Sequence, residues 1–168
     1  MHIGQSLKAL RDIGLNVTYE TLYIGVTRES MAKTLKNEPK TTEKRKKGDA
    51  GEAVACKYLE NKGYVVKERN YWKPWGEVDI VAQKGKILKF VEVKTVTRER
   101  PEVISRESIR PEENFHEAKL RRLHRAIQTY LLQKKVPESV PWEIDLACVY
   151  LNFETKLAKV ELFENVIL

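Results

Sequence analysis

From Gly48 onward the apolar residues follow two kinds of spacing. Ala50, Ala53, Val54, Tyr58 and Leu59 recur at helical intervals, and Asn61, Lys62 and Gly63 stop the run, so the pattern predicts an opening helix. Three short runs rich in β-branched and apolar residues follow over 64–68, 77–83 and 87–96, separated by polar or glycine-containing turns, and predict three consecutive strands. After a long polar segment over 97–114, helical spacing returns over 115–132 through Leu120, Leu123, Ile127, Tyr130 and Leu131. Residues 142–150 and 157–163 predict two closing strands. Helix, three strands, helix, two strands, with no internal repeat, predicts an α/β fold with a mixed sheet flanked by helices.

Upstream, residues 37–47 read NEPKTTEKRKK, a linker composition with no large apolar residue. The expected organisation is therefore a basic N-terminal arm and linker over 1–47 and a folded domain over 48–168. Within the arm, 6–15 suits a short amphipathic helix and 18–26 suits a strand, but neither carries a chemical constellation. Met31 is a second plausible start, and residues 1–30 are expected to be dispensable for folding. A length of 168 residues accommodates one domain with such an arm.

Charge sharpens this division. The chain carries 31 basic and 24 acidic residues, a net +7, and ten of the basic against five of the acidic lie before Gly48. The excess suits an acidic partner such as nucleic acid, and most of it belongs to the arm. No apolar run is long enough to span a membrane, and the N-terminus lacks the basic and apolar regions of a secretion signal. Cys56 and Cys148 sit inside apolar runs without metal-ligand spacing, so a reduced protein with a cytoplasmic location is expected.

Candidate chemistry lies in the second and third predicted strands. Carboxylates are depleted in strands and costly in a sheet unless paired or bound to metal. Even so, Asp79 stands between Val78 and Ile80, and Glu92 between Val91 and Val93, about a dozen residues on across a turn at Gly85. A hairpin brings the two together, and strand alternation puts Glu92 and Lys94 on one face. Two carboxylates suit Mg²⁺, which is held by one or two of them together with waters and phosphate oxygens; Mn²⁺ fits the same oxygen donors. Lys94 is placed to orient or help deprotonate an attacking water and to offset charge on a phosphate. Glu52, directly after Gly51 on the opening helix, is a further carboxylate for this site.

The run Gly48, Gly51-Glu52, Ala55, Tyr58-Leu59, Gly63-Tyr64, Arg69-Asn70, Gly76-Glu77-Val78-Asp79-Ile80, Ala82, Gly85, Phe90-Val91-Glu92-Val93-Lys94 resembles the YraN-like family of uncharacterised proteins. Lys119, Arg122-Leu123, Ala126, Tyr130-Leu131 and Asp145 fit its later helix and strand. That family is similar to archaeal Holliday-junction resolvases and to the PD-(D/E)xK nuclease superfamily. The resemblance covers about residues 48 to 168 and implies a restriction-endonuclease-like fold. It also implies a Mg²⁺-dependent endonuclease acting on DNA, with Asp79 and Glu92 as metal ligands and with Lys94 and Glu52 as catalytic residues. A homodimer is a further expectation from the resolvases.

Other residues admit two readings. Lys119, Arg121, Arg122 and Arg125 on the second helix either contact a nucleic-acid backbone or form a solvated face. Tyr71, Trp72 and Trp75 either stack bases or pack their loop on the core. Glu77 either lines the site or marks a solvated strand end, whereas Asp145 is expected as a structural anchor more than an accessory ligand. His116 and His124 have no partner spacing for zinc. The arginine-bearing 97–114 segment is a candidate substrate flap or a plain loop. Two functional readings follow: a metal-dependent nuclease on structured or branched DNA, and a non-catalytic nucleic-acid-binding module of a repair or processing complex. Cleavage of RNA is a third, since no residue here reads the 2′-hydroxyl.

Overall fold

A computed structural model describes residues 22–25, 43–97, 117–155 and 157–166. In chain order these form strand β1 (Leu22–Gly25), helix α1 (Glu43–Asn61), strands β2 (Val65–Lys73), β3 (Gly76–Lys84) and β4 (Ile87–Thr97), helix α2 (Glu117–Gln133), and strands β5 (Trp142–Asn152) and β6 (Leu157–Phe163). The strands make one six-stranded sheet in the order β1-β6-β5-β4-β3-β2. Only β4 and β5 pair in parallel, with α2 on the crossover between them, so the sheet is mixed as the α/β pattern predicts.

Three boundaries differ from the sequence pattern for identifiable reasons. Helix α1 begins at Glu43, so residues 43–47 of the expected linker are its first turn; glutamate, lysine and arginine are strong helix formers. Strand β2 continues past Glu68 to Lys73, because the β2–β3 hairpin pairs Arg69 with Ile80 and Trp72 with Glu77. The arm contributes β1, which lies within the strand-like 18–26 run and pairs antiparallel with β6 through Leu22↔Val160. The 6–15 helix, Met31 and the 98–114 segment lie outside the described residues.

The two faces of the sheet bury separate apolar clusters. Val54, Ala55, Tyr58 and Leu59 of α1 pack with Ile80, Val91, Ala147 and Val149. On the other face, Leu123, Ala126, Ile127 and Tyr130 of α2 pack with Val78, Val81, Phe90 and Leu146. Edge-to-face rings knit this second core, with the Tyr130 centroid 5.0 Å from Tyr71 and 5.6 Å from Phe90. Asp145 alternates with Ile144 and Leu146 and so lies on the α1 face, away from Glu92. Fully buried, it accepts from the Asn165 backbone N–H at 2.8 Å and from Lys89 at 3.4 Å, which ties the C-terminal residues to the sheet. Burial pushes its carboxyl up to about 6 against the pull of Lys89, so Asp145 reads as the expected anchor. Both cysteines are free and buried, and burial pushes Cys56 up to about 11 and Cys148 up to about 12, which disfavours their thiolates. Among the described residues no helix is long and apolar enough to cross a membrane.

Two glycines set how closely the helices approach. A methyl group added at Gly51 of α1 would lie 1.8 Å from Thr95 Oγ1 on β4. One added at Gly76, where the β2–β3 hairpin meets α2, would lie 2.3 Å from the Arg122 backbone oxygen. Gly51→Ala and Gly76→Ala are therefore each expected to cost about 1–3 kcal/mol in urea unfolding. Gly48→Ala, in open space on α1, is expected to stabilise by about 0.5–1 kcal/mol. A gain in either of the first two variants would contradict the packing described.

Candidate active site

The site forms where β3 parts from β4. Their antiparallel register runs from Lys84↔Ile87 to Ile80↔Val91 and stops there; one further step would set Asp79 directly opposite Glu92. On its other side, β3 pairs with β2 in one register from Glu68↔Val81 through Arg69↔Ile80 to Lys73↔Gly76, after a bulge between Val66 and Glu68; Asn70, opposite the Asp79 position, has a φ of 52°. The faces of β3 change across this point: Val78 packs in the α2 core, but Ile80 packs in the α1 core. Asp79 sits at the crossing point. Its Oδ2 accepts a hydrogen bond of 2.7 Å from the Val93 backbone N–H, which closes the gap between the two strands.

Glu92 lies on β4, whose parallel register with β5 runs unbroken past it, and is 8% exposed. Two carboxylates thus face one another in a poorly hydrated place. Burial is the largest influence on Asp79 and raises its carboxyl well above the ordinary range; the Glu92 charge raises it further, and the Val93 hydrogen bond only partly offsets both. Burial raises Glu92 as well, against the opposing pull of Lys119. Glu52, reaching in from α1, is raised by burial and eased by Arg69 and by a hydrogen bond from Asn70. Its Oε2 is buried and has no hydrogen-bond partner. Glu77 is exposed, and its negative charge raises Glu52, Asp79 and Glu92 further.

The cations divide differently from the sequence expectation. Lys94 is exposed on the Glu92 side of β4, and its charge favours ionised Glu92. The ammonium in direct contact with Glu92 belongs to Lys119 of α2, which forms an ion pair with it. Lys119, grouped with the backbone-contacting cations on sequence, is therefore a member of the carboxylate site. No local signal marks this, because Glu92 and Lys119 lie on separate elements that meet only through the packing of α2 on the sheet. Arg122 lines a cleft of about 390 Å³ beside Glu92, together with Lys119, Trp72, Trp75 and Glu77. Arg121 is exposed and pairs with Glu117 one turn back, and Arg125 is exposed on the same helix. Tyr71 is buried in the α2 core and donates a hydrogen bond to Gln133, so of the three aromatic residues it is the one that packs.

The donor set suits a hard divalent cation. Asp79 and Glu92 lie across one gap, the Glu92 charge raises Asp79 while Glu77 raises Glu92, and an orphaned Glu52 oxygen lies on the neighbouring helix. Among the described residues no three His, Cys, Asp or Glu side chains are gathered to hold a metal by themselves.

Residues 51–153 match Uncharacterised protein family UPF0102. A UPF0102 protein of Campylobacter lari is 35% identical over 119 residues, covering 71% of this chain and 91% of the relative. One of Wolinella succinogenes is 35% identical over 124 residues, covering 74% and 98%, and one of Caldicellulosiruptor saccharolyticus is 32% identical over 125, covering 73% and 97%. The matched span contains Glu52, Asp79, Glu92, Lys94, Lys119 and the aromatic cleft. With the sequence resemblance and the comparisons in agreement, the chain belongs to the UPF0102, or YraN-like, family.

Proposed function

We propose that the protein is a divalent-metal-dependent nuclease that hydrolyses phosphodiester bonds in DNA, with structured or branched DNA as its substrate. The observation that supports this most directly is the pair Asp79 and Glu92, held face to face at the strand splay and both raised by burial. A buried carboxylate pair of which only Glu92 has an ammonium partner leaves Asp79 unfavourably placed, and a binding site is a common reason to keep such a pair. In this reading Asp79 and Glu92 hold Mg²⁺ or Mn²⁺. The bound cation would supply Lewis acidity toward the phosphate and offset the charge that develops on it. Lys94 orients the attacking water and offsets charge on the phosphate, and Glu52 completes the acidic wall from α1. Lys119 balances Glu92 when no cation is bound, and Arg122 steadies the DNA backbone at the cleft. A homodimer, as in the resolvases that the family resembles, would present two such sites to paired strands.

The ion pair between Lys119 and Glu92 favours a second reading, a non-catalytic nucleic-acid-binding module, because it neutralises one metal ligand from within the chain. Cleavage separates the two. Labelled four-way-junction, flap, single-stranded and linear duplex DNA, incubated with Mg²⁺, Mn²⁺ or chelator, should be cut only with metal. Asp79→Ala and Glu92→Ala should bring cutting down to background while DNA binding persists. Lys94→Ala should lower the rate by about 10²–10⁴-fold. Binding without cutting under any metal would overturn the nuclease in favour of the module.

Stability provides an independent check. A carboxyl whose folded pKa is raised binds its proton more tightly in the folded than in the unfolded chain. The stability this confers is fully present below the ordinary carboxylate range and is lost as pH rises through the raised value. The metal-free protein should therefore gain stability as the pH falls from neutral toward the ordinary carboxylate range. Asp79→Asn should flatten that dependence and raise the metal-free Tm near pH 8. Mn²⁺ at about 100 times its Kd should stabilise the wild type by about 2.7 kcal/mol and leave Asp79→Asn nearly unchanged. Equal metal stabilisation of both proteins would remove Asp79 from the ligand set.

A further inference from the structure

The aromatic rim of the cleft is not used by the carboxylate chemistry. Trp72 is 64% exposed and Trp75 is 43% exposed, although tryptophan is among the residues that most favour burial. Trp75 is also fixed. Its indole N–H donates to Thr129 Oγ1 at 3.2 Å, and that hydroxyl donates to the Arg125 carbonyl at 2.7 Å, so α2 holds the ring in place while part of it stays in solvent. Gly76 seats the hairpin directly on the Arg122 backbone, which keeps the Pro74–Trp75 turn at the mouth of the cleft.

The same cleft, about 390 Å³, is lined by Lys73 and Arg122 and has Glu92 in its wall. Two exposed indoles, flanking cations and an acidic catalytic edge in one small concavity suit a stacked base whose phosphates run past the carboxylates. A cleft of this size lies at the small end of ligand sites, far below what a duplex segment fills. Bases in a duplex hide their faces against one another, so an indole reaches such a face only where a nucleotide is unpaired or unstacked.

We infer that the cleft receives an unpaired nucleotide stacked on Trp72 and Trp75, and that the substrate class is DNA with single-stranded or unstacked residues beside the scissile bond. This rests on reading the neighbouring carboxylates as a nuclease site, and it narrows that reading. Lys73 and Arg122 hold the flanking phosphates, and the stacked base sets which phosphodiester reaches Asp79 and Glu92.

The test is made on the full chain in chelator, so that it does not depend on cleavage. Single-stranded, forked and fully paired DNA of one sequence is titrated while anisotropy and indole fluorescence are recorded; Trp142, half-buried against Phe90, supplies a constant background. Single-stranded and forked DNA are expected to bind more tightly than the duplex and to quench the indole signal. Trp72→Ala should weaken single-strand binding about 5- to 100-fold, Trp72→Phe should retain most of it, and duplex binding should stay within about twofold of wild type. Because Trp72 is exposed, Trp72→Ala should keep its far-UV circular dichroism, and this variant carries the test if Trp75→Ala unfolds. Wild-type affinity in Trp72→Ala, equal quenching by the duplex, or no binding to any of the DNAs would each overturn the inference. Metal-dependent cleavage that survives the first two results would leave the nuclease standing without the stacking site.

Discussion

The hydrogen bond from the Val93 backbone N–H to Asp79 is the contact around which the site is arranged. Strands β3 and β4 stop pairing at Ile80↔Val91, and beyond that point the donors and acceptors of the ladder need other partners. Asp79 supplies one with its side chain. In doing so it holds its own carboxylate opposite Glu92, in a place where burial and like charge both disfavour ionisation. The feature that repairs the sheet therefore also creates the chemical tension of the site.

The surrounding elements keep that gap narrow. Gly51 lets α1 lie against Thr95, which carries Glu52 toward the acidic group, and Gly76 lets the hairpin rest on the α2 backbone at Arg122. Each approach is closer than a β-carbon allows, so each depends on a missing side chain rather than on an added attraction. Strand β2 has a related part, because Arg69 and Asn70 stand beside Glu52 and ease its charge. On the α1 face, away from Glu92, Asp145 turns one oxygen to both Lys89 and the Asn165 N–H, which shows how the same residue type in a strand becomes an anchor when donors converge on it.

Charge is distributed with a similar division of labour. Most of the excess positive charge belongs to the segment before Gly48, yet the cation that touches the acidic pair is Lys119 of α2. Net charge thus describes the long-range field of the whole chain, while the local balance of the site comes from one helix laid across the sheet. The aromatic rim follows this rule too. Tyr71, Trp72 and Trp75 are close neighbours in sequence, but Tyr71 enters the α2 core and the two tryptophans remain at the cleft.

By itself the sequence determined the element order, the mixed α/β class and the juxtaposition of Asp79 with Glu92, because these follow from local periodicity and from a hairpin whose turn is only a few residues long. Family membership was legible for the same reason, since its pattern runs through consecutive short segments between Gly48 and Lys94. The extension of β2 to Lys73, the pairing of β1 with β6 and the partnership of Lys119 with Glu92 were decided by tertiary structure alone. Each depends on which elements become neighbours in space, and a polar run such as Arg69–Lys73 or a single lysine on an amphipathic helix has no local property that names its partner. The orphaned Glu52 oxygen and the exposure of Trp72 belong to this second class, because burial is a property of the assembled sheet and helices and not of any segment within them.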